Sequence, residues 1–167
     1  GRLPGSDPYN SVCVFHRWDG LDPGSPGGSP YEEACRKALT LRGQLGDTVA
    51  DVLCVSAPLA LAGRAAPDQF FQVVIDAAGS VATADLDRLL NLSDRWDRDP
   101  ARKQARQLYP FPWVCFRNLV RLCASHPGMT AASLRQECLR RSHIEDLEKF
   151  LEERFFTRAG IIKQSQT

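Results

Sequence analysis

Apolar residues form two short unbroken runs in the first third of the chain and recur at helical spacing through the rest. Ser11-Val12-Cys13-Val14-Phe15 follows a turn-rich Pro4-Gly5-Ser6-Asp7-Pro8, and Ala50-Asp51-Val52-Leu53-Cys54-Val55 ends at Ser56-Ala57-Pro58. Runs of this length, β-branched and without clean alternation, predict strands buried on both faces. Between them, Leu21 to Pro30 is so rich in Pro, Gly and Ser that it reads as a surface loop. Tyr31 to about Leu45 then sets Ala34, Ala38, Leu41 and Leu45 at helical spacing, with Ser29 as candidate N-cap, Pro30 at the first position and Gly46 as the stop. Strand, helix, strand in that order predicts a parallel, right-handed crossover.

From Pro67 onward the pattern is helical. Asp68 to Ala78, stopped by Gly79, and Thr83 to Leu92, carrying Leu86, Leu89 and Leu90, are separate amphipathic pieces. Trp96-Asp97-Arg98-Asp99-Pro100 reads as a polar break. Two prolines in Leu108-Tyr109-Pro110-Phe111-Pro112-Trp113 prevent a continuous helix and give an aromatic entry to the next one, Trp113 to Ser125, closed by Pro127-Gly128. Thr130 is a good N-cap for Ala131 to Arg141, and Ile144, Leu147, Leu151 and Phe155 mark a last helix. The expected fold class is α/β and helix-rich: about two parallel strands of a partial sheet, residues 1–65, followed by a helical segment, residues 66–167. No internal repeat or sustained heptad interrupts this reading.

Composition narrows the picture mainly by exclusion. With 43% apolar residues and a net charge of +1, the chain has no long-range field to gather nucleic acid, so no nucleic-acid partner is expected. Of 21 basic residues only Lys37, Lys103, Lys149 and Lys163 are lysines, an arginine bias that points to a GC-rich, bacterial coding source. Cys13, Cys35, Cys54, Cys115, Cys123 and Cys138 sit in apolar runs without C-x-x-C spacing, which favours free buried thiols and a reducing cytoplasm. No apolar run is long enough to span a bilayer, so a cytoplasmic protein is expected, with peripheral association at the inner membrane face as the alternative. Phe70-Phe71, Phe111, Trp113 and Phe116 are better explained as core than as a membrane-facing patch.

The strand ends carry the candidate chemistry. In open parallel sheets ligands bind outside the carboxyl ends of strands, which brings His16-Arg17-Trp18-Asp19 and Ser56-Ala57 to one edge. P-loop GTPases end one strand with N-K-x-D and the next with S-A, and this chain resembles them at those two places. The resemblance implies that Asp19 accepts hydrogen bonds from the guanine edge, Arg17 covers the base face, and the Ala57 N–H meets the guanine oxygen beside Ser56. An ionised bidentate acceptor discriminates against adenine, which lacks matching donors. His16 departs from the family Asn, because each ring nitrogen makes only one bond. The bland alternative is a turn after a strand and the start of a helix.

The wider pattern is similar to bacterial dynamin-like GTPases. Val52-Leu53-Cys54-Val55-Ser56-Ala57-Pro58-Leu59-Ala60 fits a V-x-x-V-S-x-x-L-A strand end, and Ser142-His143-Ile144 followed by Leu147, Leu151, Phe155, Arg158 and Lys163 matches the close of that family's GTPase domain, with His143 in place of its usual Gly. This implies the later part of a GTPase domain, binding GTP with Mg²⁺ in the complete protein, with self-association or a membrane surface as further partners. The 167 residues contain neither G-x-x-x-x-G-K-[ST] nor a D-x-x-G after a strand, so no catalytic or metal residues are assigned and hydrolysis is not expected of this chain alone. A fragment and a degenerate module both fit. The rival class is a non-catalytic helical interaction module whose helices from Pro67 onward bind a partner protein. His126 and His143 are expected to serve a turn and a cap rather than a metal.

Overall fold

The computed structural model describes residues 11–16 and 30–156, and everything below concerns these. It is helix-rich, with one two-stranded parallel sheet among the described residues. Strands β1 (Val12–His16) and β2 (Asp51–Val55) pair in the register Val12↔Asp51 to His16↔Val55. Helix α1 (Pro30–Leu45) joins them. Then follow α2 (Ala57–Ala65), α3 (Asp68–Gly79), α4 (Thr83–Leu90), α5 (Ser93–Trp96), α6 (Pro100–Gln107), α7 (Trp113–Ser125), α8 (Ala131–Ser142) and α9 (Ile144–Leu151), the last continued by one wide π-type turn. The contacts divide the chain into two compact units. One is discontinuous, residues 1–57 with 142–167, and the other is the intervening Pro58–Arg141. The expected boundary at 65/66 followed the change from strand to helical pattern; by contact, α2 after its first residue belongs with the later helices and α9 belongs with the strands.

In the α/β unit, β1 and β2 form where β-branched residues cluster. The ladder opens with the Ala50 N–H donating to the Ser11 carbonyl at 2.7 Å, and the Ser11 hydroxyl donates to the Thr48 carbonyl at 2.9 Å. Helix α1 has acids in its first turn, Glu32 and Glu33, and Arg42 in its last, complementing the helix dipole. Its inner face is small, with Ala34 and Ala38 buried one turn apart. Gly46, at φ +51°, ends it in a left-handed conformation that few residues tolerate. Arg42 pairs with Asp51 at 3.2 Å, tying the end of α1 to the start of β2.

The helical unit is built on aromatics. Phe70, Phe71, Val74, Ala77 and Ala78 are the buried stripe of α3, which packs on Cys115, Phe116, Leu119, Val120, Leu122 and Cys123 of α7. The Phe70 ring lies 5.3 Å from Phe71 and 5.6 Å from Phe111, both edge-on. Trp96 meets Phe116 edge-on at 5.5 Å. Of the residues considered as a membrane patch, Phe70, Phe71 and Phe116 are fully buried and Phe111 nearly so, while Trp113 is half-buried.

Two short helices depart from the expected polar break. Trp96 ends α5 fully buried, its indole N–H donating to the Arg102 carbonyl at 3.1 Å. Asp99 caps α6 by accepting the Arg102 N–H, with Pro100 at the first position. Thr130 caps α8 as expected, exchanging two bonds with Ser133: the Ser133 N–H to the Thr130 hydroxyl at 3.1 Å and the Thr130 N–H to the Ser133 hydroxyl at 2.8 Å.

Helices α2 and α8 approach closely. A Cβ on Gly63 would lie 2.6 Å from Leu139 side-chain atoms, a distance that real carbon atoms do not adopt. Arg135 secures the same crossing by donating to the carbonyls of Gly63 at 3.0 Å and Ala66 at 2.6 Å and to the Asp68 carboxylate at 2.7 Å. Gly63 lies in the last turn of α2 and Ala66 just past its end, where carbonyls lack intrahelical partners. All six cysteines are free thiols; Cys115, Cys123 and Cys138 are buried and the other three half-buried.

Candidate functional site

Parallel pairing in register sets both strand ends at one edge of the sheet. His16 is the last residue of β1 and exposed, opposite Val55, the last of β2, which is buried. Ser56 follows, fully buried, and its N–H donates to the Ser142 carbonyl at 2.9 Å. Ala57 is exposed at the first position of α2. A helix's first N–H groups have no intrahelical acceptor, so the Ala57 N–H is the kind of donor that a ligand oxygen can meet. Arg17 and Asp19, the expected base cover and base reader, lie outside the described residues.

Three further residues belong to this edge. Because α1 runs back across the sheet, its first turn lies beside the strand ends, and Tyr31 stacks on His143 with ring centroids 4.2 Å apart and planes 5° from parallel. His143 opens α9 at φ +53°, its Nδ1 2.8 Å from the Asp146 carboxylate. Burial first, and then a hydrogen bond to Cys35, lifts the Tyr31 phenol well above its usual range, so it stays protonated in ordinary buffers. Burial also pushes the Cys54 thiol up to about 12, with Cys35 beside it. Ser142 is fully buried and its hydroxyl accepts the Ile144 N–H at 3.2 Å, so the Ser142-His143 turn is held from both sides.

The sequence signalled His16, Ser56 and Ala57 through the strand ends, whereas Tyr31 and Ser142 reach this edge only through pairing across distant segments. The one available hint for Tyr31 was an aromatic in the first turn after Pro30. His126, expected to serve a turn, does so, with its Nδ1 2.9 Å from the Ser125 hydroxyl and 3.0 Å from the Leu122 carbonyl. Chemically, the edge has an exposed imidazole, a stacked Tyr–His pair, and backbone donors at a helix start. Among the described residues no three His, Cys, Asp or Glu side chains gather as a metal site. No described helix is long and apolar enough to cross a membrane. No protein-family model, curated protein or solved structure matches the chain.

Proposed function

We propose that this chain is the guanine-reading part of a GTPase domain similar to that of bacterial dynamin-like proteins, with self-assembly or membrane remodelling as the associated activity. The observation that carries the reading is the in-register parallel pairing of β1 and β2, which sets His16 and Ser56-Ala57 side by side at the carboxyl edge. A second observation agrees with it: His143 has the left-handed φ of +53° at the position where the resembling family has Gly. The base would meet the Ala57 N–H, with Arg17 over its face and Asp19 on its donor edge. The 167 residues hold no G-x-x-x-x-G-K-[ST] and the described residues gather no group of metal-ligating side chains, so no step of hydrolysis is assigned to this chain.

The test is a pair of titrations with fluorescent GTP and ATP analogues, made on the protein expressed from its full reading frame. GTP should bind more tightly than ATP. Asp19→Asn should erase that preference, since the amide offers one acceptor and one misplaced donor in place of two acceptors. The loss should be roughly 2 to 4 kcal/mol, about thirty-fold to several-hundred-fold. Equal affinity for both nucleotides, or no effect of the substitution, would replace this reading with the helical interaction module.

A further inference from the structure

The helical unit contains a hollow of about 480 Å³ lined by Arg88, Leu89, Arg95, Arg98 and Arg102. Its size falls within the range of roughly 300–1,000 Å³ for small-ligand pockets, and four of its five lining residues are arginines, whose aliphatic stems supply most of the wall. Four guanidinium groups around one hollow repel each other, and the nearby carboxylates are mostly engaged. Asp87 pairs with Arg121 and Asp97 with Arg106, both outside the lining. Asp85 holds Arg88 only loosely, at 3.4 Å, and Asp99 caps α6 while lying 3.5 Å from Arg102. Arg95 and Arg98 have no ion pair among the described residues.

Two of the four are also anchored. Arg102 lies 5.5 Å from the centre of the Trp96 ring, while its carbonyl accepts the indole N–H of the same residue. Arg95 donates to the Arg88 carbonyl at 3.3 Å, which holds α5 against the end of α4. Fixed forks of N–H donors around a hollow suit a planar or tetrahedral oxyanion, and phosphate oxygens accept from arginine in paired fashion. We propose that this hollow binds a ligand with two or more phosphoryl groups. The site is built from residues of the helical unit alone and does not depend on guanine recognition.

Calorimetric titration of inorganic pyrophosphate at low salt tests it on the whole chain. Wild type should bind, more weakly as salt rises, and pyrophosphate should raise the melting temperature. Arg95→Gln with Arg98→Gln, both exposed positions, should weaken binding by about tenfold or more while circular dichroism stays unchanged. Arg36→Gln with Lys37→Gln, an equal charge change in the other unit, should leave binding intact. A second arm separates two sources of the same chemistry. Co-sedimentation with phosphatidylcholine vesicles containing a bisphosphorylated inositol lipid, lost in the double variant, assigns the site to a lipid headgroup; pyrophosphate binding without co-sedimentation assigns it to a soluble ligand. No pyrophosphate binding by wild type, or equal binding by wild type and the double variant, overturns the proposal.

Discussion

The two units solve the problem of cohesion differently. The helical unit completely buries Trp96, Phe70, Phe71 and Phe116, whereas the largest apolar residue buried among the described part of the α/β unit is Val55. Large aromatics each remove about 150–250 Å² from water, so the helical unit has a core of ordinary strength. The α/β unit relies on a backbone ladder, on the close approach allowed by Ala34 and Ala38, and on the Tyr31–His143 stack. Val14 of β1 is 38% exposed. Stability and the candidate nucleotide edge therefore reside in different places, as expected when binding surfaces are drawn from the less stable parts of a protein.

Truncating the two interiors gives the sharpest contrast. Trp96→Ala should cost about 3–5 kcal/mol in urea unfolding, because it removes an aromatic anchor and leaves the Arg102 carbonyl without its donor. Val55→Ala should cost only about 2 kcal/mol. Equal losses would mean that the two cores are alike.

Removing the arginine at the α2–α8 crossing should rank next. Arg135→Ala frees two carbonyls at the end of α2 and uncovers Phe71, over which the guanidinium lies at 4.8 Å. Hydrogen bonds to a charged group predict a loss of roughly 2–3 kcal/mol by the same measurement. Arg135→Lys should recover only part of it, since one ammonium cannot span three acceptors. Full recovery would reduce the role of Arg135 to charge alone.

At the same crossing, Gly63→Ala should cost about 1–3 kcal/mol by overpacking against Leu139. Combined with Leu139→Ala, its added cost should largely vanish, a coupling that a double-mutant cycle reads directly. Additive losses would show that the helices part instead of clashing.

The smallest effect concerns pH. Hydrogen bonding from Arg140, opposed by burial and joined by Arg141, lowers the Glu137 carboxyl from 4.5 to about 2. A lowered carboxyl stabilises the fold fully above its unfolded value and progressively less as pH falls toward its folded one. Glu137→Gln should thus cost less than about 1 kcal/mol at neutral pH, the pair being at the surface. The gap between the two melting curves should close between pH 4.5 and about 2. A gap that persists at pH 2 would trace the loss to packing rather than charge.

Legibility from sequence followed the strength of local signals. Strands β1 and β2 and helices α1, α3, α7 and α8 were readable because apolar periodicity and stop residues agree there. Of helix α2 only the start at Ser56-Ala57-Pro58 was legible, because Ala57-Pro58-Leu59-Ala60-Leu61-Ala62-Gly63 has no polar face and contains both a proline and a glycine. Helix α6 was missed for the opposite reason: Pro100-Ala101-Arg102-Lys103-Gln104-Ala105-Arg106-Gln107 has almost no apolar face, and the Asp99 cap and the Arg106–Asp97 pair hold it instead. Trp96 was misread as part of a polar break because its partners, Phe116 and Trp113, lie far along the chain. The candidate edge was legible where it ends strands and illegible where it depends on Ser142 and Tyr31.

The bond between the Ser56 N–H and the Ser142 carbonyl has a consequence for the order of folding. It closes the α/β unit across the whole of Pro58–Arg141, a long loop whose closure is entropically costly in an unstructured chain. The helical unit is continuous in sequence and can assemble as soon as its own residues have left the ribosome. Once Gly63 meets Leu139 and Arg135 reaches Ala66, the first and last helices of that unit are already side by side. The remaining loop is then short, and the α/β unit closes last, with little left to lose in chain entropy.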